Sequence, residues 1–521
     1  MKKLPVLVVV FSLLLFACTD FFDFFDLSKE EEQKKKEEPE IYKKFWACNI
    51  SENKYYQIDA QMLAENDLCR VWAEKNSGVT EDTAQKVAYE YAHNIYVKML
   101  GTFGYLINMI DGSGKPVARL NTIQFINWLV TGEYSGGKLT ILLMDIKDNY
   151  QKGVNESYVA GYFWAGNLYN NRLLDDKVSN ECDMIYVDTN PGIPGSKESN
   201  ETLSHEMQHL MNFAGTVLRG KNTDLWIDEG LSVTAEWVYS NEHSAQRLYC
   251  YHTDISGLLG KGNNFFVWGN REEESQNAVL DDYSTVYLFF QWLRLQSGNE
   301  IYWKISASDD SNYNAVIKAF NDTVSSNKYT NWETMKYTNW ETMLRDWLAA
   351  NYLKTSGRYG YGSDTVLNNL KIHYAPGSSD VKATISLFPG EGVYSNVTEG
   401  FTIPKPKTED NIKYAGLTNS APTDSGHLLN GALLTYNTNT INASNYNGIT
   451  TAESGEITGK APPSSSGTSV SQGSRSLGVS VGPFPISAGD MLRRKGKENN
   501  LNSDGVNFKI PNAYRGIIVN E

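Results

Sequence analysis

Positive charge is in short supply in this chain: 47 lysines and arginines stand against 61 aspartates and glutamates in 521 residues. A general nucleic-acid-binding protein needs a basic surface to contact phosphates, so the excess of acidic residues argues against this class of protein. Long hydrophobic runs are also lacking. Beyond the N-terminus, no segment is long and apolar enough to be a transmembrane helix. A chain of this length can still bury a large core and hold more than one domain.

Cysteine is sparse as well, with five in the whole chain. Four of them lie beyond the N-terminal segment: Cys48, Cys69, Cys182 and Cys250. An even number in an exported protein permits two disulfides, with three possible pairings. The pair Cys48 and Cys69 is the most local of these. Two of the four could equally be buried thiols.

Residues 1–17 have the features of a signal peptide, with two lysines at the start and an apolar run from Val6 to Ala17. The run ends in Leu15-Phe16-Ala17-Cys18, which resembles the lipobox of bacterial lipoproteins. The resemblance implies that Cys18 is acylated and anchors the protein to a membrane of the bacterial cell envelope, with the rest of the chain outside the cytoplasm. The alternative is an ordinary cleaved signal peptide with an incidental cysteine.

The remaining sequence divides by composition into three parts. Residues 18–45 form a charged tether, either a solvated helix or disordered. Residues 46–375 are the predicted main domain. Residues 376–521 show short alternating runs that predict a β-rich C-terminal region, with a mobile Ser/Gly-rich segment at 459–476. That region could bind a ligand or be an accessory sandwich.

Within the main domain, strands precede helices, which predicts an α+β fold. Helical spacing extends from Glu81 to Leu106. Lys138–Ile146 predicts a buried strand, and Asp183–Thr189 a second one that Asn190-Pro191-Gly192 stops.

The next helix carries the most informative motif, His205-Glu206-Met207-Gln208-His209. Two histidines four apart on a helix face the same way and can hold one metal ion, with the glutamate between them as a base. On a helix over about 200–213, the two histidines and Glu206 share the face opposite a stripe of apolar residues, Leu203, Met207, Leu210, Met211 and Ala214. Such a helix can pack into a core and offer its polar face to a cleft.

A second helix is predicted after Asn222-Thr223-Asp224, and it supplies further carboxylates. Glu229 can complete a set of two histidines and one glutamate that leaves one position open, which is the catalytic arrangement of zinc. Glu236, on the same face, can support a histidine ligand from behind, or it is a surface charge or structural ion pair. Asp228 points elsewhere, as a helix cap or as a group behind a ligand.

The stretches HEMQHLMNF and LWIDEGLSVTAEW resemble the hyicolysin family of zinc metallopeptidases, in the thermolysin-like gluzincin group. The resemblance spans roughly residues 45–350. It implies a thermolysin-like zincin domain, in which a mixed sheet is followed by an active-site helix and a mainly helical part. It also implies one zinc ion on His205, His209 and Glu229, with Glu206 as the general base. The related WLNEG motif has asparagine where this chain has Asp228.

Two tyrosines are candidates for stabilising the tetrahedral intermediate. Tyr283, in YSTVYLFF, matches the tyrosine that starts a similar helix in related aminopeptidases. Tyr287 is its rival, and Tyr283 could instead be a core aromatic residue. No Gly-Ala-Met-Glu-Asn stretch, with which those aminopeptidases hold a free N-terminus, occurs here, and this favours cleavage inside chains. We expect His93, His243 and His252 to be structural or exposed; His252 could also be a second oxyanion donor.

The expected function is therefore that of a membrane-anchored zinc endopeptidase acting on proteins or peptides, without nucleic-acid partners. In that group the general base activates a zinc-bound water for attack on the peptide bond. The alternatives are a binding lipoprotein, such as an adhesin, on a retained peptidase fold, and a structural metal-binding surface protein.

Overall fold

The computed structural model describes the chain from residue 41 onward, with gaps. The described residues are 41–104, 106–110, 116–121, 137–155, 157–168, 171, 177–219, 223–262, 265–266, 268, 271, 274–275, 277–326, 335–375, 384–406, 411–440, 450–453 and 514–520. The signal peptide, Cys18, most of the tether and the Ser/Gly-rich segment predicted from sequence lie outside them.

A mixed sheet forms one side of the main domain. Its strands are β1 (Tyr42–Asn49), β2 (Lys54–Glu65), β3 (Cys69–Glu74), β6 (Leu139–Met144), β7 (Ser157–Trp164), β8 (Met184–Asp188) and β17 (Tyr514–Asn520), and a separate hairpin consists of β4 (Leu106–Ile110) and β5 (Pro116–Asn121). The sheet order is β1-β2-β3-β6-β8-β7-β17, with β6 parallel to β3 and β8 and the other pairs antiparallel. The central strands β6 and β8 are buried along their whole length, as expected where both faces of a sheet are covered.

The helices follow the strands for the most part. They are α1 (Glu81–Glu90), α2 (Tyr96–Phe103), α3 (Lys197–Arg219), α4 (Leu225–Ser240), α5 (Ala245–Thr253), α6 (Ala278–Ser297), α7 (Ile301–Ser306), α8 (Tyr313–Ser326), α9 (Trp340–Leu353) and α10 (Thr365–Asn368). A π-helical turn, Tyr91–Ile95, joins α1 to α2, and 3-10 turns cover Ala165–Leu168 and Leu259–Lys261. No helix among these residues is both long enough and apolar enough to cross a bilayer.

Two helix boundaries differ from the sequence prediction. The helical segment after Glu81 ends at Phe103 instead of Leu106, because the chain turns into an extended conformation at Gly104 and begins β4 two residues later. The motif helix α3 is longer than the predicted range of about 200–213, since it begins at Lys197 and continues to Arg219.

Helices α3, α4 and α6 form successive layers on the sheet. Helix α3 lies against β7 and β8, α4 packs against α3, and α6 packs against α4. Every residue of α6 from Ala278 to Leu293 is buried. The motif helix therefore lies between a sheet and a second helix, in the interior of the domain.

The C-terminal part is β-rich, as the sequence predicts. Its strands are β9 (Thr384–Leu387), β10 (Gly392–Asn396), β11 (Phe401–Thr402), β12 (Ile412–Leu417), β13 (Pro422–Thr423), β14 (His427–Leu428), β15 (Ala432–Asn437) and β16 (Thr450–Glu453), and four of them form a sheet of order β10-β15-β12-β13. This sheet packs on α9, where the Tyr394 hydroxyl donates to the Leu348 carbonyl at 2.7 Å. One face of the β-rich part thus joins the main apolar core, and a second, smaller apolar cluster lies within the β-rich part itself.

The four described cysteines, Cys48, Cys69, Cys182 and Cys250, are all free, so the most local of the possible disulfides, between Cys48 and Cys69, is not formed. Cys48 pairs with Tyr55 at one end of β2, whereas Cys69 lies beside Asn66, past the other end. Cys48, Cys69 and Cys250 are buried thiols. Burial raises the pKa of Cys69 to about 12 and that of Cys250 to about 11, which keeps both thiols protonated and unreactive.

Candidate metal centre

The structure brings together the three side chains that the sequence predicts as metal ligands. His205 and His209 extend from successive turns of α3, and Glu229 extends from the second turn of the neighbouring helix α4. Their ligand atoms all lie within 4.8 Å of one another, and all three residues are buried. The group could hold one metal ion, of an identity that the geometry alone does not fix.

The distances within this group suit an ion of the size of zinc. His205 Nε2 and His209 Nε2 are 3.1 Å apart, and Glu229 Oε2 lies 3.5 Å from the first and 3.6 Å from the second. The circle through these three atoms has a radius of about 2.0 Å, and a tetrahedral ion ~2.1 Å from each ligand atom requires nearly the same radius. No side chain would have to change its rotamer to bind such an ion.

The other ring nitrogen of His205 has its own partner. Nδ1 lies 3.0 Å from Glu236 Oε1, the carboxylate that the sequence placed behind a histidine ligand. A proton on Nδ1 donated to Glu236 leaves the Nε2 lone pair directed toward His209 and Glu229, which is the tautomer that a metal ligand needs. Glu236 is itself fixed by Arg247, whose Nη2 is 2.7 Å from the same Oε1.

Charge around His205 favours a cation. Burial by itself lowers the pKa of His205, but hydrogen bonds with Glu229 and Glu236 outweigh burial and raise this pKa to about 9. For the carboxyl group of Glu236, burial by itself would raise the pKa, but the positive charges of Arg247 and His205 hold this pKa below its usual value. The carboxylates that stabilise a positive imidazole here would also stabilise a divalent ion beside it.

His209 is oriented in the same way by two groups from α4. Its Nδ1 lies 3.1 Å from Asp228 Oδ2 and 3.0 Å from Ser232 Oγ. Asp228 is held by Asn212, whose amide donates to Oδ1 at 2.6 Å. Asp228 thus points away from Glu229, as expected, and lies behind the second histidine. The sequence analysis gave Ser232 no role, although its position three residues after Glu229 places it on the same face of α4.

Glu206 is completely buried between α3 and the sheet. Strand β7 can approach it closely because position 161 is glycine. A Cβ atom on Gly161 would lie 2.6 Å from Thr202 Cγ2, 2.8 Å from the Tyr186 carbonyl oxygen and 3.6 Å from Glu206 Cγ. Burial raises the pKa of Glu206 well above its usual value, and the charge of His205 opposes this shift only in part.

In the part of the chain that the structure describes, the polar face of α3 is buried, whereas the sequence suggested that it faces a cleft. Residues 202–213 are buried all around the helix. Thr202 and Glu206 lie against β7 at Gly161, and α4 covers the histidines. A single helical pattern shows which residues share a face, but it does not show which second helix will cover that face.

Two tyrosines of α6 were candidates, and the structure places them differently. Helix α6 begins at Ala278, so Tyr283 lies in its second turn and does not open it. The Tyr283 ring is 6.3 Å from the His205 ring. The Tyr287 hydroxyl lies 2.7 Å from Nδ1 of His243, whose Nε2 is 2.8 Å from Asp364 Oδ2. This chain of hydrogen bonds uses the Tyr287 hydroxyl, whereas the Tyr283 ring lies beside His205.

The remaining histidines have local partners. Nδ1 of His93 is 2.9 Å from the Tyr89 carbonyl, on an exposed part of its helix. Nδ1 of His252 accepts from the backbone N–H of Lys371 at 3.2 Å. The role of His252 as a second oxyanion donor stays a prediction.

Arg247 is a member of the site that sequence reasoning missed. It is 2% exposed, and its guanidinium lies 4.7 Å from the centre of the Tyr283 ring while it pairs with Glu236. It therefore connects the group behind His205 to the candidate oxyanion donor. A lone arginine on the short helix α5 belongs to no recognisable motif, so the sequence carried no signal for it.

Comparison of the sequence with models of protein families and with curated proteins finds no match. The resemblance to the hyicolysin family stays a prediction from the sequence motifs.

Proposed function

We propose that this chain is a zinc-dependent endopeptidase of the thermolysin-like group, similar to the hyicolysin family. The observation that carries the proposal is the convergence of His205, His209 and Glu229 on one point, with the Glu206 carboxylate buried on the same helix. Structural zinc sites are usually closed by four protein ligands, whereas catalytic sites have three and keep one position open. Among the described residues, three candidate ligands converge at this point.

The ligand set favours zinc among the common divalent ions. Two imidazole nitrogens and one carboxylate oxygen suit zinc better than calcium or magnesium, which prefer oxygen ligands. When bound, zinc would polarise the peptide carbonyl and lower the pKa of a water in the fourth position from ~16 to ~7.

Glu206 is the proposed general base. It lies next to His205 on α3, so its carboxylate is carried by the same rigid helix as the two imidazoles. In this role it accepts the proton of the attacking water and then donates it to the leaving amine nitrogen. The close approach of β7 at Gly161 fixes the distance between this carboxylate and the sheet.

Tyr283 is the proposed donor to the developing oxyanion. Its ring is held between the Arg247 guanidinium, at 4.7 Å, and the indole of Trp268, at 4.8 Å. A fixed phenol can donate a hydrogen bond where negative charge appears on the carbonyl oxygen, and loss of one such donor typically costs ~10²–10³ in rate.

The location of this activity is also part of the proposal. A lipid on Cys18 would anchor the enzyme in the bacterial cell envelope, with its peptide substrates outside the cytoplasm. The support is the signal-peptide pattern of residues 1–17 and the lipobox-like Leu15-Phe16-Ala17-Cys18.

The first prediction concerns Glu206→Gln. The variant should keep one zinc per chain and lose cleavage of casein or gelatin by ~10²-fold or more, because the base is gone while the ligands remain. Metal analysis and a cleavage assay measure the two properties. The matched control is Glu198→Gln, the same change at an exposed position of α3, which should cleave like the wild type.

Equal cleavage by wild type and Glu206→Gln would show that Glu206 is not the base. If the wild-type chain binds zinc but cleaves none of a broad panel of proteins, the adhesin-like alternative replaces the enzyme.

A further inference from the structure

A tight turn before β10 joins the β-rich C-terminal part to the segment between α5 and α6. Gly390 in this turn has φ +81°, and a Cβ atom there would lie 2.7 Å from Cβ of Phe266. Glu391 follows and is completely buried. The turn thus inserts a carboxylate into the helical part of the molecule.

Glu391 receives a two-point hydrogen bond from Arg271. Arg271 Nε lies 3.1 Å from Oε1 and Nη2 lies 3.0 Å from Oε2, and Arg271 is only 4% exposed. The Phe388 backbone N–H also donates to Glu391 Oε2 at 2.6 Å. A buried arginine–carboxylate fork of this kind mainly fixes the orientation of the two chain segments that carry it. It adds little net stability, because the cost of removing both charges from water offsets most of their attraction.

The same segment reaches the candidate metal centre. Trp268 lies three positions before Arg271, and its indole meets the Tyr283 ring edge-on at 4.8 Å and 88°. The Tyr283 ring is in turn 6.3 Å from the His205 ring. A phenol that must donate to an oxyanion has to be held within a fraction of an ångström of its working position.

We propose that Glu391 is a positioning residue of the metal centre, which acts through Arg271 and Trp268 on the orientation of Tyr283. The catalytic consequence rests on the proposed function. The β-rich part is then a component of the peptidase unit, because one of its turns holds a wall of the active site.

Three variants test this inference in the full-length chain. Glu391→Gln removes the negative charge of the Arg271–Glu391 fork and keeps the size of the side chain at position 391. The double variant Arg271→Met, Glu391→Leu replaces both partners with apolar groups of similar volume, an exchange that often leaves stability unchanged. Asp424→Asn is the matched control, because Asp424 also joins the β-rich part to a helix, through Arg345 at 3.1 Å, but is 64% exposed and pairs with Arg345 instead of Arg271.

The first readout does not depend on activity. In protein labelled with 3-fluorotyrosine, the ¹⁹F signal of Tyr283 is assigned by its loss in Tyr283→Phe, and it is sensitive to the ring current of Trp268. We expect this signal to move in Glu391→Gln and in the double variant, and to stay in place in Asp424→Asn. An unchanged signal in both fork variants overturns the inference, whether or not the chain cleaves peptides.

The second readout is kinetic. Loss of the fork should lower kcat about tenfold while KM and zinc content stay near wild-type values. In a Tyr283→Phe background, the same fork variants should lower kcat no further, because they act through the missing hydroxyl. Additive losses would overturn the route through Tyr283. Absence of cleavage by the wild-type chain would instead refute the proposed function, and the fluorine signal would still decide the inference.

Discussion

At the scale of single residues, the candidate site depends on how each histidine is oriented from behind. Nδ1 of His205 faces Glu236, and Nδ1 of His209 faces Asp228 and Ser232. Each contact leaves the other nitrogen, Nε2, available for a metal. The HExxH spacing alone provides the two rings, whereas the geometry of the ion depends on these partners from α4.

Glu236→Gln should therefore weaken zinc binding by about 10–100-fold, because partners of metal-bound histidines typically contribute that much affinity. The change also leaves the buried cation of Arg247 with less negative charge beside it. Zinc affinity is measured by competition with a chelator. Glu242→Gln, an exposed change just beyond the end of α4, is the control and should bind zinc like the wild type. Equal affinities in all three proteins would show that Glu236 does not support the ligand.

The sequence predicted that His205, His209 and Glu229 come together, and the reason is physical. Helical periodicity fixes which side chains of α3 share a face, so His205, Glu206 and His209 could be grouped before any fold was known. Arg247 and Ser232 could not be assigned roles, because their contacts depend on how α4, α5 and α6 pack. The rivalry between Tyr283 and Tyr287 had the same origin, since both side chains lie one turn apart on α6.

At the scale of secondary-structure elements, the decisive contact is that of β7 with α3. The backbone of the strand lies so close to the helix that Gly161 has no room for a side chain. This contact sets the position of Glu206 relative to the sheet. The close approach of this strand to α3 has no local signal in the sequence.

Gly161→Ala should lower the free energy of unfolding by roughly 1–3 kcal/mol, because the added methyl group meets Thr202 and the backbone of Tyr186. Peptidase activity should fall as well, since α3 must shift. Urea unfolding and the cleavage assay measure these effects. Gly101→Ala is the control, because a Cβ atom at Gly101 would have no neighbour within 4 Å. Alanine also restricts the unfolded backbone more than glycine does, so this variant should be as stable as the wild type or more stable by ~0.5–1 kcal/mol. A Gly161→Ala protein as stable and active as the wild type would contradict the packing described here.

At the scale of the whole molecule, the sequence predicted the order of strands, helices and a β-rich end, but not their connections. The pairing of β17 with β7, far apart in the chain, has no local signal in the sequence. The fork between Arg271 and Glu391 is likewise a contact across 120 positions. Local patterns determine single elements, whereas such distant contacts depend on the packed core.

Stability should also depend on pH through buried acids of the core. Burial raises the pKa of Asp183 from 3.8 to about 7. The folded chain therefore holds this proton more tightly than the unfolded chain, so the associated stability is fully present below pH ~4 and is lost as pH rises through ~7. Between pH 5 and pH 8, the free energy of unfolding of the wild type should therefore fall by on the order of 2–4 kcal/mol more than that of Asp183→Asn.

Urea unfolding of both proteins at pH 5 and pH 8 measures this difference, with Asp59→Asn, at a 62%-exposed side chain, as the control. An equal pH dependence in Asp183→Asn and the wild type would mean that Asp183 does not titrate between these values.

X-ray absorption at the zinc edge of the zinc-loaded full-length chain tests the central claim most directly. The account predicts one zinc ion bound by two imidazole nitrogens and by oxygen, all at ~2.0–2.2 Å. In Glu229→Ala one oxygen contribution should be lost and zinc affinity should fall, while both imidazoles remain. A spectrum dominated by sulfur at ~2.3 Å, from the free cysteines, or a spectrum that Glu229→Ala and His205→Ala leave unchanged, would contradict it.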